Sequence, residues 1–101
     1  MDIKNLLAES KARFNHNSAK AYLAEKFKSK LIVAEQGGLW KADAETILLL
    51  NSFTSANLIL VDTFNNPVKV NRQQLLEKLQ QTYDTTMEQW YAEWQILESK
   101  R

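Results

Sequence analysis

The chain has no cysteine, one proline, two glycines and one histidine in 101 residues. The missing thiols exclude a disulfide framework, thiolate metal sites and a cysteine nucleophile, and they fit a reducing compartment. So little glycine and proline leaves few flexible linkers, so a single domain over residues 1–101 is expected. Long apolar runs are also missing. The longest, such as Ile47 to Leu50, hold four residues, against the ~20 needed to cross a bilayer. Nor is there an excess of charge. Thirteen basic residues stand against twelve acidic ones, a net +1, so no global field draws the surface to nucleic acid or anionic lipid. The start, Met1-Asp2-Ile3-Lys4-Asn5, lacks the basic-then-apolar order of a signal peptide, and a cytoplasmic protein is expected. What is present is ordinary for a globular chain, with 45% hydrophobic and 25% charged residues.

Apolar positions Ile3, Leu6, Leu7 and Phe14 follow a helical spacing. The polar stretch Asn15-His16-Asn17-Ser18 then interrupts them. A helix continues to about Lys28 with Ala19, Tyr22, Leu23 and Phe27 inward, and the sequence leaves open whether residues 1–29 are one helix or two. Leu31 to Glu35 and Leu39 to Ala42 flank Gly37-Gly38 and read as a hairpin, because glycine takes positive φ at little cost. Asp43 then caps a helix from Ala44 to Phe53. Leu58 to Thr63 and Val68 to Val70 flank Asn65-Asn66-Pro67 as a second hairpin. Asn71, with Gln74 three residues on, opens a last helix to about Ser99.

The two middle units, 31–53 and 58–99, repeat each other. With Phe64 as an insertion, Glu35 falls on Asp62, Lys41 on Lys69, Asp43 on Asn71, and Ile47-Leu48 on Leu75-Leu76. Each unit is strand, turn, strand, capped helix, and neither can bury the apolar face of its own hairpin. The expected fold class is therefore α+β: an N-terminal helical segment, then a duplicated β-hairpin-helix unit giving a four-stranded antiparallel sheet packed by helices, with a long C-terminal helix.

That last helix would run ~43 Å, longer than a four-stranded sheet is wide. Leu76, Tyr83, Trp90 and Leu97 recur every seven residues, with Leu79, Met87 and Trp94 between them. An aromatic stripe of this length either meets a partner or is covered by the N-terminal helices of the same chain. The first alternative makes Tyr83, Met87, Trp90, Trp94 and Leu97 the anchors of a non-catalytic protein–protein interaction module, a homodimer or a complex with another protein, since Trp and Tyr dominate binding hot spots. Charge separates along the chain as well: Ser10 to Lys30 holds six basic residues and one acid, and Asp84 to Glu98 holds four acids and no base. A second function class, a nucleic-acid-binding accessory protein, would use Lys11, Arg13, Lys20, Lys26, Lys28, Lys30 and Lys41 for phosphate contacts and Trp40 for stacking.

Chemistry is sparsely provided for. His16 sits in a polar Asn-His-Asn turn that suits a surface residue better than a general base. Gly37-Gly38 is not followed by the Lys-Ser/Thr of a phosphate loop, no acidic calcium-type loop occurs, and no serine has a nucleophile elbow. Glu35 and Asp62 are matching strand ends. No enzyme, cofactor or metal is expected.

The run Phe14-Asn15-His16 through Ala19-Lys20-Ala21-Tyr22-Leu23, the hairpin from Val33 to Lys41, and Asn66-Pro67-Val68 before the Trp-rich tail together resemble small proteins of large tailed bacteriophages. The resemblance spans most of the chain. It implies an accessory protein acting in an infected cell, and it carries no functional residues with it.

Overall fold

In a computed structural model the chain is described from Ile3 to Lys100, with side chains from Asn15 onward. Its elements are α1 (Ile3–Ser29), β1 (Ile32–Glu35), β2 (Gly38–Lys41), α2 (Ala44–Ser52), β3 (Asn57–Val61), β4 (Pro67–Asn71) and α3 (Arg72–Ser99). This is an α+β chain with an N-terminal helix, two antiparallel hairpins and a long C-terminal helix. α1 passes unbroken through Asn15-His16-Asn17-Ser18 as one helix. Those residues cost at most ~0.7 kcal/mol each in helix propensity. Tertiary contact offsets that, because Leu23 and Phe27 further along are buried.

The first hairpin turns one residue earlier than its Gly-Gly pair suggests. Glu35 pairs with Gly38, so the two-residue loop is Gln36-Gly37, with φ of 51° and 82°. Positive φ at both central residues is what a turn matching strand twist requires. Gly38 serves a different purpose. A Cβ there would stand 2.5 Å from the Trp40 ring, and the space it vacates lets the indole fold back and donate its Nε1–H to the Glu35 carbonyl at 2.8 Å.

In the second hairpin Val61 pairs with Pro67, leaving the loop 62–66. The Asp62 carboxylate organises it, accepting from the main-chain N–H of Phe64 and of Asn66, each at 3.0 Å. Asn65 takes the left-handed conformation at φ 63°, which asparagine tolerates better than most residues. The two helices that follow the hairpins are capped alike, as the repeat predicts. Asp43 accepts from Thr46 N at 2.9 Å and Asn71 from Gln74 N at 3.0 Å.

The four-stranded sheet expected from the repeat is corrected by the topology: β1–β2 and β3–β4 are separate two-stranded sheets. Where a continuous ladder would run, side chains intervene. Asp62 Oδ2 accepts from Leu39 N at 3.2 Å, and the Gln36 amide accepts from Asn71 N at 2.7 Å and donates to Asn71 O at 3.2 Å. One main-chain bond, Thr63 N to Leu39 O at 3.0 Å, links the hairpins directly.

The hairpins and α2 close over the first turns of α3 to form the head. Val33, Trp40, Leu50, Val70, Leu75 and Leu79 lie at its centre, each contributing about 1.5–3 kcal/mol by burial. Arg72 ties the end of α2 to the start of α3, donating to Leu50 O at 3.5 Å and Ser55 O at 3.2 Å. Beyond the head α1 and α3 run on as a stalk. The molecule measures 65 × 24 × 20 Å with a radius of gyration of 19.4 Å, against ~13 Å for a compact chain of 100 residues.

Candidate interaction surface

The stalk is where the sequence placed its anchors, and it has a second, smaller core. Phe27 of α1 is fully buried and stacks on Trp90, centroids 6.1 Å apart and planes 9° from parallel. Lys26 donates to Glu93 at 2.8 Å, and His16 Nε2 lies 3.2 Å from Glu98 Oε1. As α1 numbers fall from 27 to 16, the α3 partners rise from 90 to 98, so the two helices are antiparallel. The Lys26–Glu93 ion pair is partly exposed and contributes at most about 1 kcal/mol. The ammonium groups of Lys26 and Lys30 also sit 5.2 and 4.8 Å from the centre of the Phe27 ring.

The side of α3 that meets α1 differs from the predicted stripe by a small rotation. Thr86 is buried, Glu93 pairs with Lys26, and Trp90 and Leu97 are partly covered. The seam thus steps 83, 86, 90, 93, 97, in alternating threes and fours. Met87 and Trp94 each lie one residue, or ~100°, further round. Of the five predicted anchors, Tyr83 packs against the head core, Trp90 and Leu97 stand in the seam, Met87 is half-buried beside it, and Trp94 faces outward. Trp94 is 37% exposed and stacks on Tyr91, itself 60% exposed, with centroids 5.9 Å apart.

The stalk therefore has two faces. One carries a shallow groove of ≈ 240 Å³ lined by Tyr22, Leu23, Ile96 and Leu97 among others. The other carries the Tyr91–Trp94 stack. Tyr22 belongs to the groove face, so helix rotation puts Lys20, Ala24 and Lys28 of α1 on the same face as Trp94. Among the described residues neither Lys20 nor Lys28 has an acidic partner. Thr86, Glu93 and Tyr91 were missed in the sequence. The first two are polar and break an apolar pattern, and Tyr91 lies off the seven-residue repeat.

The residues of the nucleic-acid reading are dispersed. Trp40 is 4% exposed in the head core, with its indole N–H bonded internally, so it presents no ring for a base to stack on. Lys26 and Lys30 are engaged at Phe27. Lys20, Lys28 and Lys41 are exposed, and the side chains of Lys11 and Arg13 lie outside the described residues. Glu35 and Asp62, matched in the repeat, have different surroundings. Asp62 is 7% exposed and accepts three main-chain N–H bonds. Those bonds, the one from Asn66 foremost, hold its carboxyl below the usual aspartate value against an opposing desolvation effect. Compared with family models, with curated proteins and with solved structures, the chain matches none of them.

Proposed function

We propose that the protein is a non-catalytic interaction module that self-associates through the Trp94 face of its stalk. The observation that carries this reading is the exposed Tyr91–Trp94 stack beside a helix face bearing small Ala24. Exposed rings beside a small side chain leave a flank on which a second copy, related by a twofold axis, can seat its own rings. Two two-helix stalks joined in this way form a four-helix layer, a stable way to bury such stripes. Charge suits the same pairing: Lys20 and Lys28 share the α1 face of Ala24, and Asp84 and Glu88 lie on α3 with no ion-pair partner among the described residues. Aromatic side chains immobilised at an interface lose little entropy for the area they cover.

The test is mass in solution by size exclusion with light scattering. The wild type should run near twice 11.7 kDa, and a Tyr91→Ala/Trp94→Ala variant should run as a monomer with an unchanged helical circular-dichroism spectrum. A wild-type monomer at all concentrations, or a dimer indifferent to both substitutions, would sink the reading.

A further inference from the structure

Among the described residues the outer edge of β3 has no partner strand, and its hydrogen-bond phase shows which groups are free. Asp62 N bonds to Asn66 O and Arg72 N to Ala56 O, which fixes the β3–β4 ladder: residues 56, 58, 60 and 62 bond across to β4. The N–H and C=O groups of Asn57, Ile59 and Val61 therefore point away from β4. Among the described residues nothing bonds to them. The opposite edge is guarded. On β4, Pro67 has no N–H to offer, Lys69 adds a charge, and the Gln36 amide takes both outward groups of Asn71. β3, Asn57-Leu58-Ile59-Leu60-Val61, contains neither charge nor proline. Its outward side chains Ile59 and Val61 are 73% and 64% exposed.

At the Val61 end the edge adjoins an open cavity of ≈ 570 Å³ whose lining includes Leu49 and Leu50 of α2, Leu60, Val61, Asp62 and Lys41. The carboxylate of Asp62 is occupied by three main-chain N–H groups. The charge left to meet a ligand is the exposed Lys41 ammonium, which has no acidic partner among the described residues. An edge asks for an extended backbone, the cavity for an apolar side chain, and the cation for a carboxylate.

We infer that β3 is a strand acceptor for an extended apolar segment of a partner protein that carries an acidic residue at one end. The segment adds antiparallel to β3 through the main-chain groups of Ile59 and Val61, seats one apolar side chain against Leu49 and Leu60, and sets its carboxylate near Lys41. It turns a two-stranded sheet into a three-stranded one, the smallest that is independently stable. This surface is on the head, and the inference does not rest on the stalk pairing.

The test uses the full chain and two N-acetylated peptides carrying fluorescein at the C-terminus, Glu-Thr-Val-Ile-Val-Thr and its counterpart with lysine at the same end, since an antiparallel segment brings its N-terminal residue to the Val61 end; binding is followed by anisotropy and by amide exchange. The Glu-ended peptide should bind better, and the preference should reverse in Lys41→Glu with a change of about two- to fivefold. The amides of Ile59 and Val61, fast to exchange in the free protein, should become protected. N-methylation of alternate peptide residues should abolish binding in one phase and leave it intact in the other. Ile59→Pro should keep the fold, since that N–H has no partner to lose, and should lose the peptide. No binding of either peptide at about 1 mM, binding without protection of Ile59 and Val61, or equal effects of the two N-methyl phases would overturn the inference. So would a peptide-free dimer that Ile59→Pro dissolves, because the occupant would then be a second copy.

Discussion

At the scale of single residues, Asp62 joins the two hairpins. Its carboxylate shapes its own loop through Phe64 and Asn66 and reaches the other hairpin at Leu39 N. Such bonds favour the charged form, so the folded-state pKa lies below the unfolded value. A depressed carboxylate stabilises the fold above its unfolded pKa, ~3.9, and that contribution is lost as pH falls from there through the folded value. Asp62→Asn should therefore lower the melting temperature near neutral pH and blunt its fall in acid, so that the two melting curves converge below about pH 4. Thermal melts from pH 2 to 7 check this, and a constant gap across that range would contradict it. The sequence marks Asp62 only as a match to Glu35. Its surroundings include the first hairpin, 23 residues away at Leu39, which no local pattern records. Gly38 is a similar case. The Gly-Gly pair is legible as a turn, but which glycine takes positive φ and which makes room for Trp40 is set by register.

At the scale of elements, much of the fold is readable because its signals are local. Asp43 and Asn71 cap their helices as their spacing implies, and the repeat places two hairpin-helix units correctly. The α3 seam is less legible. A seven-residue apolar repeat selects Met87 and Trp94, whereas the actual seam holds buried Thr86 together with Glu93, the latter paired with Lys26 of α1. A polar residue made compatible by a partner helix cannot be identified from its own helix. The same packing makes Phe27 the central side chain of the stalk. Phe27→Ala should cost about 3 kcal/mol and weaken the stalk while the head core, built from other residues, persists. Amide exchange resolved by residue should show faster exchange in α1 and the second half of α3 than in β1, β2 and α2. Uniform acceleration would mean that stalk and head unfold as one unit.

At the scale of the whole molecule, two hairpins and a short helix close a head, and two long helices leave it as a stalk. The single sheet anticipated from the repeat does not form because Asp62 and Gln36 occupy main-chain groups that a shared ladder would need. That choice leaves β3 with an edge open among the described residues, and the antiparallel stalk leaves Trp94 partly exposed. The predicted aromatic stripe is thus divided: Trp90 and Leu97 serve the fold, and Trp94 with Tyr91 faces out. In the proposed self-association this outward face meets its own copy. With no native cysteine to compete, Gln89→Cys, at an exposed position of α3 ~140° round the helix from Trp94, can be spin-labelled cleanly and the distance between labels measured by pulsed electron resonance. A dimer through this face gives a defined dipolar distance between protomers that vanishes when Trp94→Ala is added. A signal without dipolar coupling, or a distance that Trp94→Ala leaves unchanged, would contradict it.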